Sequence, residues 1–208
     1  MKLNYKRTIF VGFAFFLICT FWQAYDTIIP KILTDKFGMN QANSGIIMAL
    51  DNVLALFMLP LFGAISDKCG SRKGRRTPFV TIGTIAAAIL LVALSFADGM
   101  QLKNISAVSA IDDPGALEVL YDAEKDETLY TPENEAFVLS GTFTREEFAA
   151  IESQRTDEAT GKKITNEDYH NYVVPARQHY AQRRTAENPR ALILFIGILL
   201  LLLILQVG

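Results

Sequence analysis

The chain has 208 residues, half of them hydrophobic, with 20 Lys/Arg against 22 Asp/Glu and a formal net charge of −2. That balance averages two unlike parts: residues 1–97 hold ten Lys/Arg and four Asp/Glu, residues 98–208 ten and eighteen. The basic residues stand beside apolar runs, where membrane orientation accounts for them and not nucleic-acid binding; two cysteines, Cys19 in an apolar run and Cys69 in a basic loop, exclude a disulfide framework and a zinc site.

The first apolar run, Thr8–Pro30, follows Lys6 and Arg7 and precedes Lys31. A hydrocarbon core of ~30 Å takes about 20 helical residues to cross, and this run suffices. It is too long for a signal-peptide core and lacks a small-residue cleavage site, so it reads as a retained membrane helix. Thr20, Gln23, Asp26 or Thr27, and Pro30 recur at three- and four-residue spacing and share one helix face, with Trp22 and Tyr25 alongside. Amides and carboxylates suit sugar hydroxyls and rings suit the apolar sugar faces, so Gln23, Asp26 and Trp22 are candidate substrate contacts. An interfacial belt of aromatic and charged residues accounts for the same positions.

The second run, Ser44–Ile65, has Asn43 or Ser44 to cap its start. Asp51 lies seven residues in from Ser44, about 10 Å along a helix, with Asn52 beside it. An ionisable residue within a span is costly and marks a functional site by default. Asp51 and Asn52 are therefore the candidate site for a proton or other coupling cation, with a structural aspartate hydrogen-bonded between helices as the alternative.

The link to the third run reads Gly63-Ala-Ile-Ser-Asp67-Lys68-Cys-Gly70-Ser71-Arg72-Lys73-Gly74-Arg75-Arg76-Thr77-Pro78-Phe79. A glycine in a membrane helix permits close backbone approach, and arginines at the head groups can make bidentate contacts with carboxylates or phosphates. The sequence resembles the signature between the second and third helices of the major facilitator superfamily, in the form found in sucrose–proton symporters and glycoside–pentoside–hexuronide cation symporters. Gly63, Ser66, Asp67, Lys68, Ser71, Arg72, Gly74, Arg75, Arg76, Pro78 and Phe79 match, and Thr77 stands where a third basic residue is common. The resemblance implies that Gly63, Asp67, Lys68, Arg72, Gly74, Arg75 and Arg76 form a cytoplasmic gate that favours the outward-facing state; setting topology alone is the plainer role for the basic residues. It also implies about twelve spans in two halves, with substrate bound between them near the midplane, and so further C-terminal helices as partners of this chain.

The third run, Phe79–Ala97, begins after Pro78, ends at Asp98-Gly99, and carries a small-residue face at Gly83, Thr84, Ala86, Ala87 and Ala88, which suits helix packing. Residues 98–190 are hydrophilic and acidic, too long for an ordinary connection, and must be a small domain or a partly disordered segment. Phe137, Val138, Leu139, Phe143, Phe148, Ile151, Tyr169, Tyr172, Val173, Val174 and Tyr180 can supply a core. Thr144-Arg-Glu-Glu147 reads as a capping box opening a short helix to about Ser153. A second helix over Glu167–Arg184 is interrupted at Pro175, and Thr156–Lys163 is a turn-rich link. His170 and His179 lack a metal-binding spacing and read as solvated. No catalytic constellation appears, and no cofactor or metal is implied.

The last run, Ala191–Gly208, starts after Asn188-Pro189-Arg190 and ends without a basic anchor, as a truncated chain would. Lys2, Lys6 and Arg7, and the basic 66–78 loop, place the N-terminus and that loop in the cytoplasm, with 98–190 outside. The fold class expected is all-α: transmembrane helices at about 8–30, 44–65, 79–97 and 191–208, belonging to a major-facilitator N-terminal half, with an extracytoplasmic insertion of about 90 residues between helices 3 and 4. The function expected is not enzymatic but cation-coupled, proton-driven sugar or glycoside symport by alternating access at the cell membrane. Lipid, the sugar and the coupling cation are its partners. A four-helix membrane sensor with an external domain, and an efflux transporter of the same superfamily, are the alternatives.

Overall fold

The computed structural model describes residues 5–68, 77–157 and 161–207. Four long apolar helices form at the four apolar runs: α1 (Tyr5–Asp35), α2 (Gln41–Asp67), α3 (Thr77–Asn104) and, after a compact helical domain, α8 (Arg190–Val207). Three of them outrun the apolar segments that define them. α3 continues seven residues beyond Ala97, because Asp98 is neutralised within the helix by Lys36, whose Nζ lies 2.7 Å from both carboxylate oxygens. α2 begins at Gln41, ahead of Asn43 and Ser44. Its cap is Asn40, whose Oδ1 accepts from the Asn43 N–H at 2.7 Å, while Ser44 is buried and its Oγ has no partner among the described residues.

The helices pack through a stripe at four-residue spacing on α1 (Tyr25, Ile29, Leu33) continued by Phe37 in the turn after it, through Leu94 and Ala97 of α3, and through Ala191, Phe195, Ile198, Leu199, Leu202 and Leu203 of α8. The Phe37 and Phe195 rings are 5.1 Å apart. The opposite faces are just as apolar. On α3, Ile82, Ile85, Ile89, Val92 and Phe96 form an exposed stripe, Phe96 at 71%; on α1, Ile9, Phe10, Phe13 and Phe16 are exposed, Phe10 at 75%. A helix that is apolar all round belongs in a large core or a bilayer. Among the described residues, Ile82–Asn104 is the one unbent helical segment long and apolar enough to cross a membrane.

Between α3 and α8 the chain makes one compact unit. It comprises a 3₁₀ turn (Ser106–Val108), α4 (Pro114–Glu124), a two-residue antiparallel pair β1 (Leu129–Tyr130) and β2 (Ala136–Phe137), α5 (Leu139–Thr142), and α6 (Arg145–Ala149). A hairpin of β3 (Gln154–Thr156) and β4 (Lys163–Thr165) follows, then a π turn (Tyr169–Val173) running into α7 (Val174–Glu187). Leu129 faces Phe137 across the first pair and Arg155 faces Ile164 across the second. The core gathers Leu139, Phe148, Ile151, Tyr169 and Val173 with Phe137, Phe143, Tyr172, Val174 and Tyr180 at its margin. Ile105, Val108, Leu117, Leu120, Tyr121 and Leu129 join them.

Local signals fix several ends. Thr144 and Glu147 make the reciprocal capping box at the start of α6, which stops at Ala149 and not at Ser153. Pro175 does not interrupt the last helix of the domain; it sits in the first turn of α7, where its missing N–H costs nothing. The break falls instead at Asn188, extended at φ −134°, ψ 80° as a residue before proline prefers. There the chain turns by 92° from α7 into α8.

α7 lies directly on the turn between α1 and α2. Gly38 adopts φ +69°, and a Cβ there would overlap the Gln178 carbonyl and the Gln182 backbone. Gly161 has a similar φ of +64° but open space around it. Left-handed backbone alone costs an alanine about 1–2 kcal/mol. Gly38→Ala is therefore expected to lower the unfolding midpoint clearly more than Gly161→Ala, measured by denaturant or thermal unfolding in detergent; equal losses would mean that α7 does not seat on this turn.

Candidate functional site

The polar face of α1 lies open. Gln23 and Asp26 are exposed, while Thr20 and Thr27 turn their hydroxyls back onto the Phe16 and Gln23 carbonyls at 2.9 and 2.8 Å. Pro30 sits inside α1 and has no N–H to give the carbonyl four residues earlier. The Asp26 carbonyl therefore receives no bond from residue 30. The Trp22 side chain lies outside the described part of the structure. Tyr25 is not on this face: it is buried in the stripe facing α3 and α8 and lines a groove of about 280 Å³ with Ser95, Asp98 and Phe195.

Asp51 and Asn52 lie on the helical backbone of α2, and their side chains are outside the described part. The backbone sets their depth. Asp26 is nine residues from the end of α1 at Asp35, and Asp51 is ten residues from the start of α2 at Gln41. At 1.5 Å per residue these are ~14 and ~15 Å from the shared turn. The two aspartates thus stand at matching height on helices joined by a short turn and packed on each other.

At the far end, Asp67 is the last residue of α2, and Lys68 is exposed in the turn that follows, its N–H bonded to the Ile65 carbonyl at 3.2 Å. Among the described residues nothing lies within 4 Å of where a Gly63 Cβ would stand. Arg72, Gly74, Arg75 and Arg76 lie outside the described residues.

A second polar cluster sits in the compact domain. Glu124, the last residue of α4, is fully buried. One carboxylate oxygen is 2.6 Å from His179 Nδ1, and the other is 3.6 Å from Arg183 and lacks a hydrogen bond. His179 is thus a partner of a buried carboxylate and not a solvated residue; His170 is exposed. The one available sequence signal was the four-residue spacing of His179 and Arg183, which puts both on one face of α7. Glu124 itself gave none, standing in the charged run Asp122-Ala-Glu-Lys-Asp126. Among the described residues no group of three or more His, Cys, Asp or Glu could hold a metal ion.

Residues 10–109 match the family described as MFS/sugar transport protein. The matched segment includes the 63–79 loop that carries the resemblance. Among curated proteins, sucrose transport protein SUC4 of Arabidopsis thaliana is 34% identical over 62 residues, 30% of this chain and 12% of that protein. Sucrose transport protein SUC3 of the same plant is 34% identical over 67 residues, 32% and 11% respectively. The matched segment thus spans about a tenth of those relatives. No solved structure matches the chain. The family match begins inside α1 and ends at Ser109, before α4.

Burial raises the pKa of Glu124 above its ordinary 4.5, outweighing the hydrogen bond to His179 and the attraction of His179 and Arg183. The folded state then holds the proton more tightly than the unfolded chain. This group's contribution to stability is full below pH 4.5 and is lost as pH rises through the higher folded value. Glu124→Gln is expected to flatten that decline. Denaturant unfolding of both proteins from pH 4.5 upward checks it; parallel curves would show that Glu124 ionises as freely in the fold as out of it.

Proposed function

We propose that this chain supplies the first membrane helices of a cation-coupled sugar or glycoside symporter. In this reading α1, α2, α3 and α8 are four spans of the N-terminal half, and residues 98–190 are an insertion outside the membrane. The observation that carries the reading is the 63–79 loop with its Asp67-Lys68 and Ser71-Arg72-x-Gly74-Arg75-Arg76-x-Pro78-Phe79 pattern, set inside a segment that matches a sugar-transport family. Likeness to two proteins named for sucrose transport supports the substrate class.

The mechanism follows from cost. A carboxylate in a span must face a cavity, a cation or a proton. Asp51, at matching height with Asp26 on the neighbouring helix, binds the coupling cation. Gln23, the Asp26 carboxylate and Trp22 take the sugar hydroxyls and ring. Asp67 and the arginines of the following loop close the cytoplasmic side by charge-assisted hydrogen bonds. Exchange between outward- and inward-facing states uses the second helical half that the family requires. The compact domain between α3 and α8 favours a second reading, a membrane receptor whose external domain binds the signal.

Reading the coding sequence past Gly208 and assaying the protein it encodes separates the two. Symport predicts further spans and sugar uptake driven by a proton or cation gradient. Asp51→Asn is expected to cut gradient-driven uptake about tenfold or more, the kinetic equivalent of ~1.4 kcal/mol, while sugar exchange without a gradient persists. Undiminished gradient-driven uptake would remove Asp51 from the coupling site, and a stop codon directly after Gly208 would favour the receptor.

A further inference from the structure

A cavity of about 370 Å³ opens where the compact domain meets the end of α1, between Lys31 and Asp35 of α1 and Tyr169, Arg177 and Gln178 of the domain. It stands at the end of the exposed face that carries Gln23: Gln23, Thr27, Lys31 and Asp35 follow one another at four-residue spacing and all are exposed. Lys31 is ~12 Å beyond Gln23 along the helix. Several polar groups around this space are unused. The Lys31 ammonium and the Gln178 amide have no side-chain partner among the described residues. Asp35 accepts from the Thr34 hydroxyl at 3.3 Å through one oxygen, which leaves the other. Tyr169 is only 9% exposed, yet its hydroxyl makes no hydrogen bond among the described residues. Its oxygen is not sealed off, and the space that Tyr169 lines is this cavity. Burial holds its pKa above the ordinary 10.0, so it stays an O–H donor. Arg177 is partly committed, one terminal nitrogen donating to the Ala110 carbonyl at 2.6 Å.

The free groups are mixed in kind. An anion site needs donors alone, but here an ammonium and a phenol stand with a carboxylate and an amide around one space. Hydroxyl groups both donate and accept, and Ile105 and Val108 add an apolar wall for the C–H face of a ring. Pockets for small molecules start at about 300 Å³, so the space is sufficient. We propose that this cavity is a vestibular sugar site, which takes a sugar by its hydroxyls before the sugar reaches the Gln23–Asp26 face of α1. Lys31 and Tyr169 donate to it, Asp35 accepts from it, and Gln178 does either. The site is incomplete without both parts of the chain, since α1 supplies Lys31 and Asp35 and the domain supplies the rest. The choice of a sugar rests on the symporter reading.

The test is equilibrium dialysis of the full chain, in neutral detergent, against radiolabelled sucrose, with unlabelled sucrose and inorganic phosphate as competitors. Saturable binding is expected, displaced by unlabelled sucrose and not by phosphate. Lys31→Gln and Tyr169→Phe should each weaken it about fivefold, the effect of one lost hydrogen bond. Lys162→Gln, which removes a charge from the exposed β3–β4 connection, should leave it unchanged. Lys31 is exposed on α1 and Tyr169→Phe keeps the ring in the core, so neither variant should unfold the protein. Absence of saturable binding, displacement by phosphate, or unchanged affinity in either variant would overturn the vestibular site. The symporter reading fails separately, by absence of gradient-driven sugar uptake. Sucrose binding weakened by both variants, in a protein that takes up no sugar, would keep the site and remove that reading.

Discussion

The buried amide of Gln101 is the point on which the two halves of the structure depend. It projects from the last turn of α3, fully buried, and its Nε2 donates to the Lys36 carbonyl at 2.7 Å and to Thr185 Oγ1 at 2.8 Å. One side chain therefore ties the residue that follows α1, the end of α3, and α7. The last carbonyls of a helix have no partner within it, and burial without one is expensive. The covering domain could not lie over this end of the helices unless a donor met that carbonyl. The Lys36–Asp98 pair and the Gly38 seat under α7 stand around the same point. Asn188 continues it, bonding the Asn104 side chain at 3.3 Å just before the chain turns into α8.

The two halves were legible in the sequence to different degrees, for physical reasons. The long helices announce themselves because apolar runs of this length have few other uses, and only their ends were misplaced. A charged residue looks like a boundary in sequence, yet Asp98 is held inside α3 by a lysine 62 residues away. The margin of the domain core and the Thr144–Glu147 capping box were legible because aromatic residues and caps are local signals. α4 was not. Its Ala116, Leu117, Leu120 and Tyr121 are spread among charges, and their burial is decided by packing against α6 and α7. The two strand pairs, two and three residues long, carry too few residues to show a period.

The site divides in the same way. The spacing of Gln23 and Asp26 does put them on one exposed face, but Tyr25, one residue before Asp26, points into the helix core. Helical geometry separates neighbours in sequence by about 100°, so proximity in the chain was the wrong guide. The depth match of Asp26 and Asp51 needs the position of the turn between α1 and α2, which the placement of Asn40 as the cap settles. The spacing of His179 and Arg183 showed a shared face of α7 but not its partner, since Glu124 is 55 residues from His179. Together these features describe a set of apolar helices in which Asp26 and Asp51 stand at matching height, with a folded domain seated on the end where α1 and α3 finish.

The central claim is that this domain and the 66–78 loop lie on opposite sides of one membrane. Impermeant maleimide labelling of single cysteines, in a background lacking Cys19 and Cys69, tests it most directly. Glu133→Cys, on the exposed β1–β2 connection, should label in intact cells, and Ser71→Cys only after permeabilisation. Labelling of both from the same side, or the reverse pattern, would contradict the account.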